Sequence, residues 1–402
     1  MTEATRERRI EKNVQLIINV LNTLDEKKVK DLKKNGKTYE YKIKDDKFIV
    51  IDAPTVKVCI SENYNFTFDK INGDFKRWGK TYEEDPQFSP VFAEIADIEI
   101  TTSCTGALTK INGKEIRKPC AFCYKSNTPN GYNMSFETFK KIIDKTPKLL
   151  TQVAFGVDST ATSNPDLWKM AAYCREIGII PNVTVADVSD EVADKLAEVM
   201  GACAVSLYDD KNVCYDTVQR LVSKGMRQIN IHAMISFETY DRTVQAINDM
   251  TTDPRLKGMN AIVMLSLKKK GRGVGFTSLT SEQYKSLVDL ALDKKIKFGF
   301  DSCGCKKFFD AVKDHPNYNE FNEVGEPCES TCFSWYIGAD AKCYPCSFCE
   351  HISGWEDGID VANCDDFIND VWYDERMKEF RLKLINNVDS VHGARECPVF
   401  EI

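Results

Sequence analysis

Three cysteines in the stretch "SCTGALTKINGKEIRKPCAFCYKS" (residues 103–126) carry the first sign of chemistry: Cys104, Cys120 and Cys123. The last two form a C-x2-C pair, while the first stands fifteen residues upstream across a polar, lysine-rich segment. Structural zinc takes four ligands in a closed site, whereas three thiolates suit an iron–sulfur cube with one iron left open. Nine of the sixteen cysteines follow residue 300, in "DSCGC", "PCESTCFSWYIGADAKCYPCSFCEH", Cys364 and "ECPVF". With only four histidines in the chain, ligation by thiolate alone is the expectation.

The remaining composition bounds the class. At 402 residues, with 43% hydrophobic and 29% charged residues, the chain suits a globular protein with a large core and smaller units. A net charge of −7 gives no dominant nucleic-acid footprint. No run of eighteen apolar residues occurs, and "MTEATRERRIEKN" lacks the apolar core of a secretory signal, so a cytoplasmic protein without membrane contact is expected. In a reducing compartment clustered cysteines point to metal or redox chemistry. The basic run "LKKKGRG" (267–273) reads as a solvated face or turn.

Three regions must position these thiols. Residues 1–95 read as an α+β accessory unit. It opens with an amphipathic helix over 1–35, with Ile10, Val14, Ile17, Ile18, Leu21 and Leu24 on one face, and continues with alternating strands in "KTYEYKIKDDKFIVID" and "TVKVCI". From 96 to 300, seven short apolar runs alternate with six amphipathic segments, from "ADIEITT" to "IKFGF". Ser135 with Thr138 and Ser189 with Glu191 mark helix starts. Such alternation demands parallel strands with right-handed crossovers, hence an α/β fold: a partial (β/α)6 TIM-like barrel, or a doubly wound sheet. Residues 301–402 form a small Cys-rich C-terminal unit whose stability would draw on metal. Cys59, Cys174, Cys203 and Cys214 sit in apolar patterns and read as core thiols.

Cys104 directly follows the first core strand, and all three thiols fall in one βα loop at the strand ends where barrels place chemistry. This arrangement resembles the radical S-adenosylmethionine (radical SAM) family, whose usual loop is C-x3-C-x2-C followed by an aromatic. Here it is Cys104-x15-Cys120-x2-Cys123-Tyr124, so the first spacing departs from the common form. The resemblance implies a 4Fe–4S cluster on Cys104, Cys120 and Cys123 that binds S-adenosylmethionine. It further implies cofactor contacts from Gly156 and Asp158 in "VAFGVDSTATSNPDLW", where Val157 replaces a second glycine, and from Asp187, Ser206 and Tyr124. Each is equally a plain strand-end or loop residue, and His232 inside "INIHAMI" reads as a core histidine or a barrel-lining one.

The C-terminal region resembles the SPASM or shorter twitch extension of that family. Cys328, then Ala341 where a glycine is usual, then Cys346 follow its signature. The resemblance implies one auxiliary 4Fe–4S cluster held by Cys303, Cys328 and Cys346, with a fourth ligand among Cys332, Cys343, Cys349, Cys364 and Cys397; Cys332 is taken with the set. The lead-in "RWGKTYEEDP" resembles phage or mobile-element radical SAM proteins of undefined role. The implied activity is reductive cleavage of S-adenosylmethionine to a 5′-deoxyadenosyl radical that abstracts hydrogen. The implied substrate is a peptide or protein side chain, with flavodoxin or ferredoxin as reductant. A nucleotide or nucleic-acid substrate, or a non-catalytic zinc-binding protein on a degenerate barrel, are the alternatives.

Overall fold

Alternating apolar residues between 37 and 78 pair into an antiparallel meander. The structure, a computed structural model, describes residues 26–111 and 114–402. After α1 (Glu26–Asn35) come β1 (Lys37–Ile43), β2 (Asp46–Asp52), β3 (Val56–Ile60), β4 (Asn65–Asp69) and β5 (Phe75–Trp78), hydrogen-bonded in chain order. Phe48, Val50, Cys59, Phe66 and Phe68 bury one side of this sheet. The apolar positions expected of an N-terminal helix, Ile10 to Leu24, lie outside the described residues.

The second sheet opens with β6 (Ile95–Glu99), followed by a hairpin of β7 (Ala107–Ile111) and β8 (Lys114–Lys118). The chain then alternates through α2 (Phe136–Lys145), β9 (Gln152–Gly156), α3 (Leu167–Glu176), β10 (Ile180–Val185), α4 (Asp190–Val199) and β11 (Ala202–Ser206). It continues with α5 (Lys211–Ser223), β12 (Ile229–Ile235), α6 (Tyr240–Asp249), β13 (Ala261–Ser266), α7 (Ser281–Asp293) and β14 (Phe298–Phe300). The seven strands β6, β9, β10, β11, β12, β13 and β14 pair in parallel in that order, joined by six helices, as the alternation predicts. Ser135 caps α2 by accepting the Thr138 amide, and Ser189 caps α4 by accepting that of Val192.

Beyond β14 lie α8 (Cys305–Val312), α9 (Tyr318–Val324), β15 (Ser334–Ile337), β16 (Lys342–Tyr344), β17 (Ile359–Asp360) and α10 (Glu375–Asn386). β15 pairs in parallel with β6, and β16 and β17 follow antiparallel, so the Cys-rich region continues the barrel sheet past its first strand. This pairing covers the free edge of β6. Trp335 on β15 packs edge-on against Phe92 at 4.8 Å between ring centroids and against Phe367 at 5.6 Å.

One buried network ties the N-terminal unit to the C-terminal region. Glu94, just before β6, accepts a hydrogen bond from the hydroxyl of Tyr64 and one from Arg77 Nη1 at 2.9 Å. Arg77 also lies 3.6 Å from Glu329 and sits over the Phe333 ring at 3.4 Å from its centroid. Burial pushes the Glu94 carboxyl up to about 7 against the pull of Arg77. Arg77→Ala leaves that carboxylate buried without its cation, and urea denaturation should register a loss of about 3–5 kcal/mol. A loss within the scatter of ordinary surface substitutions would contradict this role.

Candidate functional site

The fifteen-residue gap between Cys104 and Cys120 is a paired hairpin. Ala107 registers with Lys118 and Ile111 with Lys114, so the segment leaves the loop and returns to its starting point. With the paired residues 107–118 set aside, only Thr105, Gly106 and Pro119 separate the two cysteines. Gly106 permits the closure: its φ is +89°, and a Cβ there would lie 1.9 Å from the Lys118 carbonyl oxygen. The Cys104 amide donates to Thr128 O at 2.9 Å, the Cys123 amide to Cys120 O at 3.2 Å, and the Gly106 amide to Cys104 Sγ at 3.3 Å.

The run "LKKKGRG" is where the sequence reading fails. It follows β13 on the strand-end face and packs onto the cysteine loop. Arg272 donates its amide to Cys123 O at 3.0 Å and its Nε to Cys120 O at 2.8 Å. Lys270 reaches Glu350 O at 2.7 Å, and the buried Lys268 pairs with Asp301. A run of like charges does not declare which face it occupies. Here its cations offset carbonyl dipoles, an acid and the charge that thiolates would bring.

A cavity of about 520 Å³ opens at these strand ends, and Cys104, Cys120 and Cys123 all line it. One wall is a polar knot: Lys125 lies 3.0 Å from Glu99, pairs with Glu350, and donates to the Tyr336 hydroxyl at 2.7 Å. That hydroxyl bonds Glu99 at 3.2 Å. The knot fastens the cysteine loop to β6, β15 and the C-terminal cysteine segment. Among the described residues no three His, Cys, Asp or Glu side chains converge on a point where a single metal ion would sit. A cube's thiolates bind different irons and need not converge in that way.

Tyr124, Gly156, Asp158 and Ser206 all line the cavity, as does His232, whose burial pushes it down to about 4 and keeps it neutral. Tyr124 packs at a tilt against Phe348, 4.3 Å between centroids. Gly156 has a packing reason for lacking a side chain, because a Cβ would lie 2.9 Å from Glu99 Cα on the neighbouring strand. The Asp158 carboxylate is filled locally, accepting the amides of Thr160 at 3.0 Å and of Thr162 and Ser163 at 2.9 Å, so it shapes the loop after β9. Asp187 is held by Arg117 of the hairpin in a two-pronged pair. These bonds occupy the two acids that the motif assigned to cofactor.

Of the C-terminal cysteines, Cys303, Cys328, Cys346 and Cys397 stand close enough for their charges to act on one another. Burial pushes the Cys303 thiol up to about 12 despite Lys268 beside it. Cys349 Sγ lies 3.6 Å from that of Cys346. Cys332 is turned away into the core beside Arg381 and Arg395, which corrects its place in the expected set. Cys343 and Cys364 are likewise buried in the core. Cys397 arrives because Arg395 donates to Cys328 O at 3.1 Å and to Gln87 O at 2.8 Å, contacts that no spacing announces. Cys59, Cys174, Cys203 and Cys214 are packed core thiols, as expected.

No protein-family profile and no curated protein matches this chain. Solved structures do. The FeFe-hydrogenase maturase HydG from Carboxydothermus hydrogenoformans shares 14% identity and a TM-score of 0.37 over 60% of this chain and 58% of that one. A second structure of HydG, a maturase of the [FeFe]-hydrogenase, shares 12% and 0.37 over 61% and 55%. This chain therefore spans less than two thirds of either match.

Asp97 on β6 was not singled out in the sequence, although an acid at an alternate position of an otherwise apolar barrel strand is a readable signal. Its carboxyl lines the cavity two residues inward of Glu99, is exposed within it, has no hydrogen bond or ion pair among the described residues, and is pushed up to about 6 by the protein mass that displaces bulk water around the cavity. The folded state thus keeps a proton that the unfolded chain sheds near pH 4, so stability falls between about pH 4 and 6. Asp97→Asn removes this loss. Melting temperatures of variant and parent should coincide near pH 4, diverge in favour of the variant up to about pH 6, and stay parallel above. A variant less stable than the parent at pH 8 would show that Asp97 has a partner in the folded chain.

Proposed function

We propose that this chain is a radical SAM enzyme. The observation that carries the proposal is the hairpin closure, which reduces the stretched loop to the family's C-x3-C-x2-C spacing on the wall of a cavity at the strand ends. Cys104, Cys120 and Cys123 would hold a 4Fe–4S cluster, which when bound and reduced would supply the electron for cleavage of S-adenosylmethionine to a hydrogen-abstracting 5′-deoxyadenosyl radical.

This chain's residues do the rest. Arg272 fixes the carbonyls of Cys120 and Cys123, and Lys125 anchors the same loop through Glu99 and Glu350. Tyr124, Gly156 and Ser206 offer a ring, a bare backbone and a hydroxyl on the cavity wall where S-adenosylmethionine would lie. Asp158 and Asp187 shape that wall from behind. Cys303, Cys328, Cys346 and Cys397 form a donor set suited to an auxiliary 4Fe–4S cluster. The substrate class we favour is a peptide or protein side chain, with flavodoxin or ferredoxin as electron donor in the cytoplasm.

The test uses protein reconstituted anaerobically with iron and sulfide, reduced, and given S-adenosylmethionine. Three chains are compared: the parent, Cys120→Ala, and a deletion of 107–118 joining Gly106 to Pro119. The parent and the deletion should both release 5′-deoxyadenosine, and Cys120→Ala should fall to background. An iron-loaded parent that releases none, or a Cys120→Ala that matches it, would contradict the proposal.

A further inference from the structure

The cavity's charges are paired with one exception. Lys125 is spent on Glu99 and Glu350, Lys268 on Asp301, and Asp158 on its own loop amides. Among the described residues Asp97 alone of the charged groups lining the cavity has no partner, and its register neighbours are Ala154 on β9 and Tyr336 on β15. Two residues of strand set it about 7 Å below Glu99, further from the cysteine loop that follows the strand. The cavity wall also includes Ala154, Met234 and Leu265, apolar stretches between polar groups such as Thr184, Ser206 and His232. Exposed to the cavity and without a donor among the described residues, this carboxylate is free to pair with a cation that enters.

We propose that Asp97 is the substrate-recognition residue of this cavity, taking an ammonium or guanidinium group at the end of an aliphatic chain. A lysine- or arginine-like side chain of a peptide fits this chemistry, and so does a free alkylamine. The inference rests on the enzyme reading above, and it assigns the substrate's charge and shape. The cation docks on Asp97 while its stem lies along the apolar stretches of the wall, which holds a methylene C–H nearer the cysteine loop than the charged end. The competing source of a cation is S-adenosylmethionine itself, which carries an ammonium and a sulfonium.

The probes are n-pentylammonium and its neutral counterpart 1-pentanol, titrated calorimetrically into the reconstituted protein with and without S-adenosylmethionine. We expect n-pentylammonium to bind in both conditions and 1-pentanol to bind more weakly. Asp97→Asn should weaken the ammonium by roughly tenfold or more, the worth of a charge-assisted hydrogen bond. Ala154→Leu, which fills the space beside Asp97 without changing charge, should abolish binding. Equal binding of the two probes, or an Asp97→Asn indifferent to the ammonium, would overturn the assignment. So would loss of n-pentylammonium binding whenever S-adenosylmethionine is present, which would give Asp97 to the cofactor. The titration reads binding alone, so a protein that binds the cation yet releases no 5′-deoxyadenosine would sink the radical reading and leave this one standing.

Discussion

The backbone pairing of Ala107 with Lys118 is the constraint on which the site depends. Without it, Cys104 and Cys120 are the ends of a fifteen-residue lysine-rich loop, free to lie apart. Closing such a loop costs conformational entropy that ladder hydrogen bonds and the tight turn at Gly106 offset. The hairpin thus converts a sequence separation into a spatial contact. It also carries Arg117 to Asp187, which latches it across the mouth of the neighbouring strand.

A second layer of constraint comes from the C-terminal region. β15 lies on β6, so the strand that leads into the cysteine loop is paired on both sides. Lys125, held by Glu99, Glu350 and Tyr336, then fixes that loop to both strands at once. Buried pairs of this kind are expensive to desolvate and gain their worth through satisfied geometry. Here they orient the loop against the C-terminal segment, where Tyr124 packs on Phe348.

Much of this was legible in the sequence. Apolar runs separated by amphipathic segments report strands and helices through their own periodicity, so the seven parallel strands could be read directly. β15 could not. It is four residues long, and its partner lies more than two hundred positions upstream, so the pairing leaves no local pattern. The cysteine loop was recognisable by residue type and place, but its spacing made sense only once the hairpin was seen. Asp158 and Asp187 matched a motif by position, yet their carboxylates were claimed by neighbouring amides and by Arg117, which a motif does not encode. Cys397 was no more legible by spacing: Arg395 ties the C-terminal segment to Cys328 O, while Cys332 is buried. Asp97 was visible all along as an acid in an apolar strand, but that it has no partner among the described residues could be learned only from the fold.

The account's central claim is that three thiolates leave one iron open to S-adenosylmethionine. Its most direct test is electron–nuclear double resonance on the reduced, reconstituted protein with S-adenosylmethionine labelled at its amino nitrogen. The account predicts a magnetic coupling between the iron–sulfur centre and the labelled nitrogen, lost in Cys120→Ala. A reduced cluster that shows no coupling to the label in the parent protein would contradict it.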